Sequence, residues 1–185
     1  MNKIKISLPA IATLLMAMSA HAAPMTWHGN GHMYDIVYVQ DGDLDWEEAR
    51  DLAEAQGGYL ATITSQGEND FVWNLASSTS DSTEYWLGGY QANFDSEPDG
   101  GWAWVTGETW DYTNWYAPWE PNNGAGGAQH YLHYWPGNGF WDDMHNGDYM
   151  SGYVVEFEPV PEPGTMALFG LGLLGLFGAR KRLKN

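Results

Sequence analysis

Cysteine is absent from the 185 residues, which excludes disulfide staples and thiol chemistry. Positive charge is nearly absent from the body of the chain. Of seven Lys and Arg, two fall at Lys3 and Lys5 and four at Arg180, Lys181, Arg182 and Lys184, leaving Arg50 alone between them. All 24 Asp and Glu lie between Asp35 and Glu162. Such a chain is a poor partner for nucleic acid. Its field attracts cations at some cost in self-repulsion, and a salty habitat is the other reading of the same charge. There is no internal repeat and no nucleophile motif. Carboxylates abound, but no pair is singled out as the acid and base of a glycosidase. What is plentiful is aromatic: eleven Trp and eleven Tyr, rings that fill a core while their polar tips demand partners.

The two ends are modular. Lys3 and Lys5, an apolar stretch over 11–18 and Ala20-His21-Ala22 have the layout of a secretory signal peptide over residues 1–22, with Ala23 as the expected mature start. At the other end Val160-Pro161-Glu162-Pro163-Gly164 is followed by an uncharged apolar run over 165–179 and then by the basic tail. Fifteen residues fall short of the roughly 17–25 of a stable membrane span, and a basic tail favours a cytoplasmic end. This Pro-Glu-Pro, apolar run and basic tail over 160–185 resembles the PEP-CTERM sorting signal of Gram-negative bacteria. The resemblance implies transient membrane insertion through 165–179 (a transmembrane helix), recognition by an exosortase, and an extracellular or outer-surface destination. A plain C-terminal anchor is the alternative. Gly170-Leu171-Gly172-Leu173-Leu174-Gly175 matches G-x-G-x-x-G, but without a preceding strand it carries no dinucleotide reading.

Residues 23–159 then form one domain. Residues 33–39 read as a strand. Asp45-Trp46-Glu47-Glu48 is a capping box opening a helix with Trp46, Ala49, Leu52 and Ala53 on one face, ended by Gly57-Gly58. Residues 59–64 read as a strand, and Ser65-Gln66-Gly67-Glu68 opens a second helix through about Ala76, with Phe71, Val72 and Leu75 on one side. Residues 85–90 read as a buried strand. From 91 to 129 the chain is rich in Gly, Asn, Pro and Trp, with little pattern apart from 102–105, and long ordered loops are usually functional. Residues 130–135, 139–141 and 152–157 read as closing strands. The order is that of an α+β fold.

Within the long loop, Glu120-Pro121-Asn122 is followed about twenty residues later by Trp141-Asp142-Asp143. The two triplets supply three carboxylates and an amide oxygen on either side of a Gly-rich segment, and hard cations such as Ca²⁺ require oxygen ligands converging from different segments. Pro121 is well placed for a cis bond that turns Glu120 and Asn122 toward one point.

Several ordered motifs together resemble the C-type lectin-like domain. Trp46-Glu47-Glu48-Ala49-Arg50, Gly57-Gly58-Tyr59-Leu60-Ala61-Thr62-Ile63, Ser65-x-x-Glu68-Asn69-x-Phe71-Val72, Trp86-Leu87-Gly88-Gly89, Trp104-Val105-x-Gly107-Glu108, Tyr112-x-Asn114-Trp115 and Gly152-Tyr153-Val154-Val155-Glu156-Phe157 cover nearly the whole domain in order. The fold's disulfides are missing. On this register Ala53 and Val155 occupy one bridge, and Tyr131 and Asn146 stand near the other, so packing and bound Ca²⁺ must replace cross-links typically worth about 2–5 kcal/mol.

The resemblance implies a calcium-dependent carbohydrate-binding module and not an enzyme. Glu120 and Asn122 match its Glu-Pro-Asn ligands and Asp143 its final Asp. Asp142 stands where Asn is usual, and Gln129 lies near the position of a later Glu. The expected calcium ligands are Glu120, Asn122, Gln129, Asp142 and Asp143, with Glu120, Asn122, Gln129 and Asp142 also contacting sugar hydroxyls. Glu-Pro-Asn implies mannose-, glucose- or fucose-type sugars. The exchange of amide and carboxylate between Gln129 and Asp142 keeps the ligand inventory but reverses a donor and an acceptor. A domain that binds a protein partner in the extracellular matrix, without sugar, is the alternative. Trp115, Trp119 and Trp135 read either as sugar-stacking platforms or as loop packing. His130 and His133, three apart in a strand, face opposite sides and argue against a shared zinc. Asp41-Gly42-Asp43-Leu44-Asp45 lacks the Gly and Glu of an EF-hand at Trp46 and Leu52 and reads as a turn and helix cap.

Overall fold

The first long strand buries Tyr34 and Val37. The computed structural model describes residues 23–39, 44–79, 84–124, 126–148 and 150–159; the signal peptide, the sorting segment and residues 40–43 of the EF-hand-like turn lie outside them. A two-residue strand, β1 (Met25–Thr26), pairs with β2 (Met33–Tyr38). Asp45 then caps α1 (Trp46–Ala55) by accepting from the Glu48 amide, as a capping Asp does. Trp46, Ala49 and Ala53 face the core, whereas Leu52, expected on that face, is exposed. Gly57 takes a φ of 83° just beyond the helix, a conformation that suits glycine.

The strand expected over 59–64 is regular only at β3 (Tyr59–Leu60). Beyond it the backbone still bonds, through Ala61 N to Val154 O and Thr62 N to the Glu156 carboxylate. The second helix, α2 (Gln66–Thr79), outlasts the expected Ala76. Ser77, Ser78 and Thr79 return their hydroxyls to carbonyls three or four residues back, so its last turn is satisfied locally. The expected capping box at Ser65 is half-formed. Glu68 N donates to Ser65 Oγ, but the Glu68 carboxylate turns inward to Thr64 and to the Tyr34 hydroxyl.

The remaining strands are β4 (Tyr85–Gln91), β5 (Trp102–Trp104), β6 (Tyr131–Tyr134), β7 (Trp141–Met144) and β8 (Gly152–Phe157). They form a mixed sheet in the order β1-β2-β8-β4-β6-β7, with β3 on β8 and β5 on β4. The β4–β8 pair is parallel and the others are antiparallel. Alternate residues of β4 and β8 feed two cores. Tyr85, Leu87 and Val154 join α2 through Val72 and Ala76. Trp86, Tyr153 and Val155 join α1 through Trp46, Ala49 and Ala53. Ala53 and Val155 are both fully buried in that second cluster. The indoles find backbone acceptors: Trp46 Nε1 donates to Leu87 O and Trp86 Nε1 to Leu44 O.

The long segment between β5 and β6 is ordered by rings instead of a ladder. Trp110 packs on Trp102, Trp104, Trp115 and Trp141 at centroid distances of 4.4–6.2 Å. The loop's end joins the sheet where Tyr116 N donates to Trp141 O and Trp141 N to Asn114 O. The strand expected to end at Trp141 instead begins there and runs through Asp142 and Asp143.

Candidate functional site

Two segments carry four of the five candidate oxygen ligands, and Gln129 lies between them. The first is the turn over 116–124. Trp119 N and Glu120 N both donate to Tyr116 O, and the Glu120–Pro121 bond is cis. The second is the β6–β7 hairpin, whose register sets Leu132 opposite Asp143 and His133 opposite Asp142. The hairpin is held from outside by Asn69 of α2, which accepts from Trp141 Nε1 at 2.9 Å and donates to Gly139 O at 3.1 Å.

Asp143 ties the segments together. It is fully buried; its Oδ1 accepts from Asn122 N and its Oδ2 from Asn123 N, both at 2.8 Å. Glu120, Asp142 and Asp143 each offer a carboxylate oxygen, and the three oxygens lie within 4.8 Å of one another. Three acids at this separation repel. Burial, then the charges of Asp142 and Asp143, push the Glu120 carboxyl up to about 8. Burial also raises Asp143, against the pull of the two backbone amides.

The two amides complete the set. Asn122 Oδ1 and Gln129 Oε1 both press on Gly124, where a Cβ would stand 2.5 Å from the first and 3.1 Å from the second. Gln129 is buried, and its Nε2 donates to Met144 Sδ at 3.5 Å. Its Oε1, like Glu120 Oε2, is buried without a hydrogen-bond partner among the described residues. Buried oxygens left unpartnered beside clustered carboxylates are what a bound cation would satisfy. The donor set is all oxygen, without Cys or His, and so fits a hard divalent ion such as Ca²⁺ and not zinc. The structure thus brings Glu120, Asp142 and Asp143 into one cluster and sets Asn122 and Gln129 together against Gly124 beside it.

Three residues around the site escape a reading of the sequence. Asn123, at a φ of 49°, accepts from Gln129 N at 2.9 Å and donates to Glu97 at 2.6 Å, joining the turn to Gln129 and to the loop after β4. His133 is buried and faces Asp142 Oδ2 at 3.1 Å. Glu97 stands 3.3 Å from His130 Nδ1. The Asx tendency of Asn123 is legible in the sequence, but the cross-strand partner of Asp142 needs the register. His130 and His133 indeed have separate surroundings: His130 lies against Phe94 and Gln91.

The family profile described as the lectin C-type domain matches residues 43–153, and the chain belongs to that family. A second profile, the PEP-CTERM protein-sorting motif, matches residues 159–182. The chain is similar to perlucin from Haliotis laevigata, with 32% identity over 62% of this chain and 75% of that protein. It is also similar to lectin BRA-3 from Megabalanus rosa, with 30% identity over 72% of this chain and 81% of that protein. Other relatives are longer, and the chain spans about a third of their length. Among solved structures, the carbohydrate-recognition domain of cow CD23, crystallised in the presence of a GlcNAc2Man3 oligosaccharide, superposes with a TM-score of 0.59 at 25% identity, covering 76% of this chain and 98% of that one. Family and fold are those of a binding domain and not of an enzyme.

Proposed function

We propose that the protein is an exported, calcium-dependent carbohydrate-binding module. The observation that carries this reading is the set of two unpartnered buried oxygens, Glu120 Oε2 and Gln129 Oε1, beside three carboxylates that converge within 4.8 Å. Membership of a lectin family and likeness to a domain crystallised with an oligosaccharide support the ligand class. Glu120, Asn122, Gln129, Asp142 and Asp143 would hold Ca²⁺, and the bound ion would supply a hard Lewis acid for the hydroxyl oxygens of a sugar.

The chain's own residues do the rest. Asp143 accepts from the Asn122 and Asn123 amides, so it fixes the turn while it would also face the ion. Glu120, Asn122, Gln129 and Asp142 offer carboxylate acceptors and amide donors to the hydroxyls. His133 orients Asp142 from the opposite strand. Mannose-, glucose- and fucose-type sugars are the favoured class. The PEP-CTERM motif supports export, handling by an exosortase and a destination outside a Gram-negative cell. Among the described residues no helix is long and apolar enough to cross a membrane; residues 165–179 lie outside them.

Calorimetric titration of the full chain tests the metal. One Ca²⁺ site with a Kd of about 0.1–1 mM, the range of extracellular modules, is expected, and Asp143→Asn should weaken it by about two orders of magnitude through lost charge and lost turn contacts. Absence of calcium binding in the native protein would contradict the reading.

A further inference from the structure

Four aromatic rings outside both cores pack on one another. Tyr116 is their hub. Trp119 stacks on it at 5.2 Å and 30°, Trp135 at 5.1 Å and 15°, and Phe140 leans in at 5.8 Å. None of the four packs in either core cluster. Trp119 is 61% and Phe140 40% exposed, and Ala117 and Pro118, just before Trp119, are exposed too. The rings ride on the same two segments as the candidate ligands. Trp119 immediately precedes Glu120, and both amides bond the Tyr116 carbonyl. Phe140 lies two residues before Asp142, about 7 Å along an extended chain, and its carbonyl accepts from Trp135 N at 2.7 Å.

We propose that Tyr116, Trp119, Trp135 and Phe140 form a second carbohydrate subsite. It takes the apolar face of a further sugar residue in a neutral polysaccharide whose neighbouring unit sits on the Glu120–Asp143 cluster. The inference rests on the carbohydrate reading above and extends it from a single sugar to a chain.

Three observations select this occupant. Prestacked Tyr and Trp rings offer rigid, flat, amphipathic area at little entropic cost, and a pyranose presents a flat face of C–H groups. The acidic field, with Arg50 paired to Asp51, repels phosphorylated or sulfated polymers and anionic membranes. A protein partner needs about 800 Å² from each side. Trp119 and Phe140, at about 150–250 Å² each in full with part of it already covered, supply about a quarter of that.

The test uses the full chain in millimolar Ca²⁺, with methyl mannoside and mannotetraose as probes and glucose and cellotetraose in parallel, followed by calorimetry and by tryptophan fluorescence. The expected result is that a tetrasaccharide binds about three- to tenfold tighter than its monosaccharide. Trp119→Ala, and separately Phe140→Ala, which lies off the Glu120 turn, should bring the ratio near unity and leave monosaccharide affinity unchanged. Melting curves confirm that both variants fold. Equal loss of both affinities would overturn the subsite, since the rings would then only support Glu120. An unchanged ratio in both variants, or a concentration-dependent dimer that Trp119→Ala dissolves without touching the ratio, would also overturn it. The calcium reading fails separately. If monosaccharide binding is absent but a tetrasaccharide in chelator still shifts the fluorescence of the native chain and not of Trp119→Ala, the subsite stands without the ion. If neither probe produces a response, both readings fall.

Discussion

Glu120 carries the heaviest electrostatic load of any residue in the site. With its carboxyl pushed up to about 8 from an ordinary 4.5, the folded, calcium-free protein keeps a proton that the unfolded chain has released. Stability from this group is therefore full below pH 4.5 and is lost as pH rises through about 8. Glu156, buried against Tyr34, His32 and the Thr62 amide, is raised to about 7, mainly by burial, and acts in the same direction. In chelator the melting temperature should fall between about pH 5 and 8, and Glu120→Gln should flatten the fall; a melting temperature that climbs over this window would refute the assignment. A second prediction concerns Gln129 and Asp142. Exchanging them, Gln129→Glu with Asp142→Asn, keeps the number of carboxylates and amides but restores the family's order of donor and acceptor. Calcium affinity should stay within about threefold while sugar preference changes; competition assays with free monosaccharides measure it, and an unchanged preference would count against the exchange.

The β6–β7 hairpin positions two of the five candidate ligands, Asp142 and Asp143, and α2 holds it through one side chain. Asn69 is buried between Trp141 Nε1 and Gly139 O. Asn69→Ala leaves the indole without an acceptor and the carbonyl with Asn114 alone, a loss of about 2–4 kcal/mol from unsatisfied buried groups. Urea denaturation should show that loss with an unchanged slope, and calcium binding should weaken because Asp142 follows Trp141. A loss below about 0.5 kcal/mol would show that the contact is not structural. This is also the element that the sequence reveals least well. A strand carrying two adjacent buried acids contradicts the usual placement of charge, so Asp142 and Asp143 look like loop residues until the register with Leu132 and His133 is known. The caps at Asp45 and Gly57 are legible because they act within a few residues. Glu68 matches a capping box in sequence, yet its carboxylate serves Thr64 and Tyr34, a choice made by tertiary packing. The strand β1 is too short for any pattern to mark.

The molecule as a whole folds without the family's cross-links by packing Ala53 on the cluster that holds Val155, and by tying Asn146 to α1 through Glu47 while Tyr131 packs tilted against Trp46 at 4.7 Å. Its charge is nearly all of one sign, and three of its carboxylates gather beside cis-Pro121 of the long loop. Those triplets and the ordered frame were legible because each motif is local and their order is fixed by the fold. Gln129 enters the candidate set through the family resemblance alone, because the Gly-rich loop leaves its register open, and the structure sets it with Asn122 against Gly124. The central claim, a calcium-dependent carbohydrate site at this convergence, is tested most directly by exposing the full chain to a glycan array in millimolar Ca²⁺ and again in chelator. Binding to mannose-, glucose- or fucose-type glycans that vanishes in chelator is the predicted result. A blank array in both conditions would contradict it and turn the domain into a binder of protein, with Glu120 and Asn122 reduced to residues of a turn.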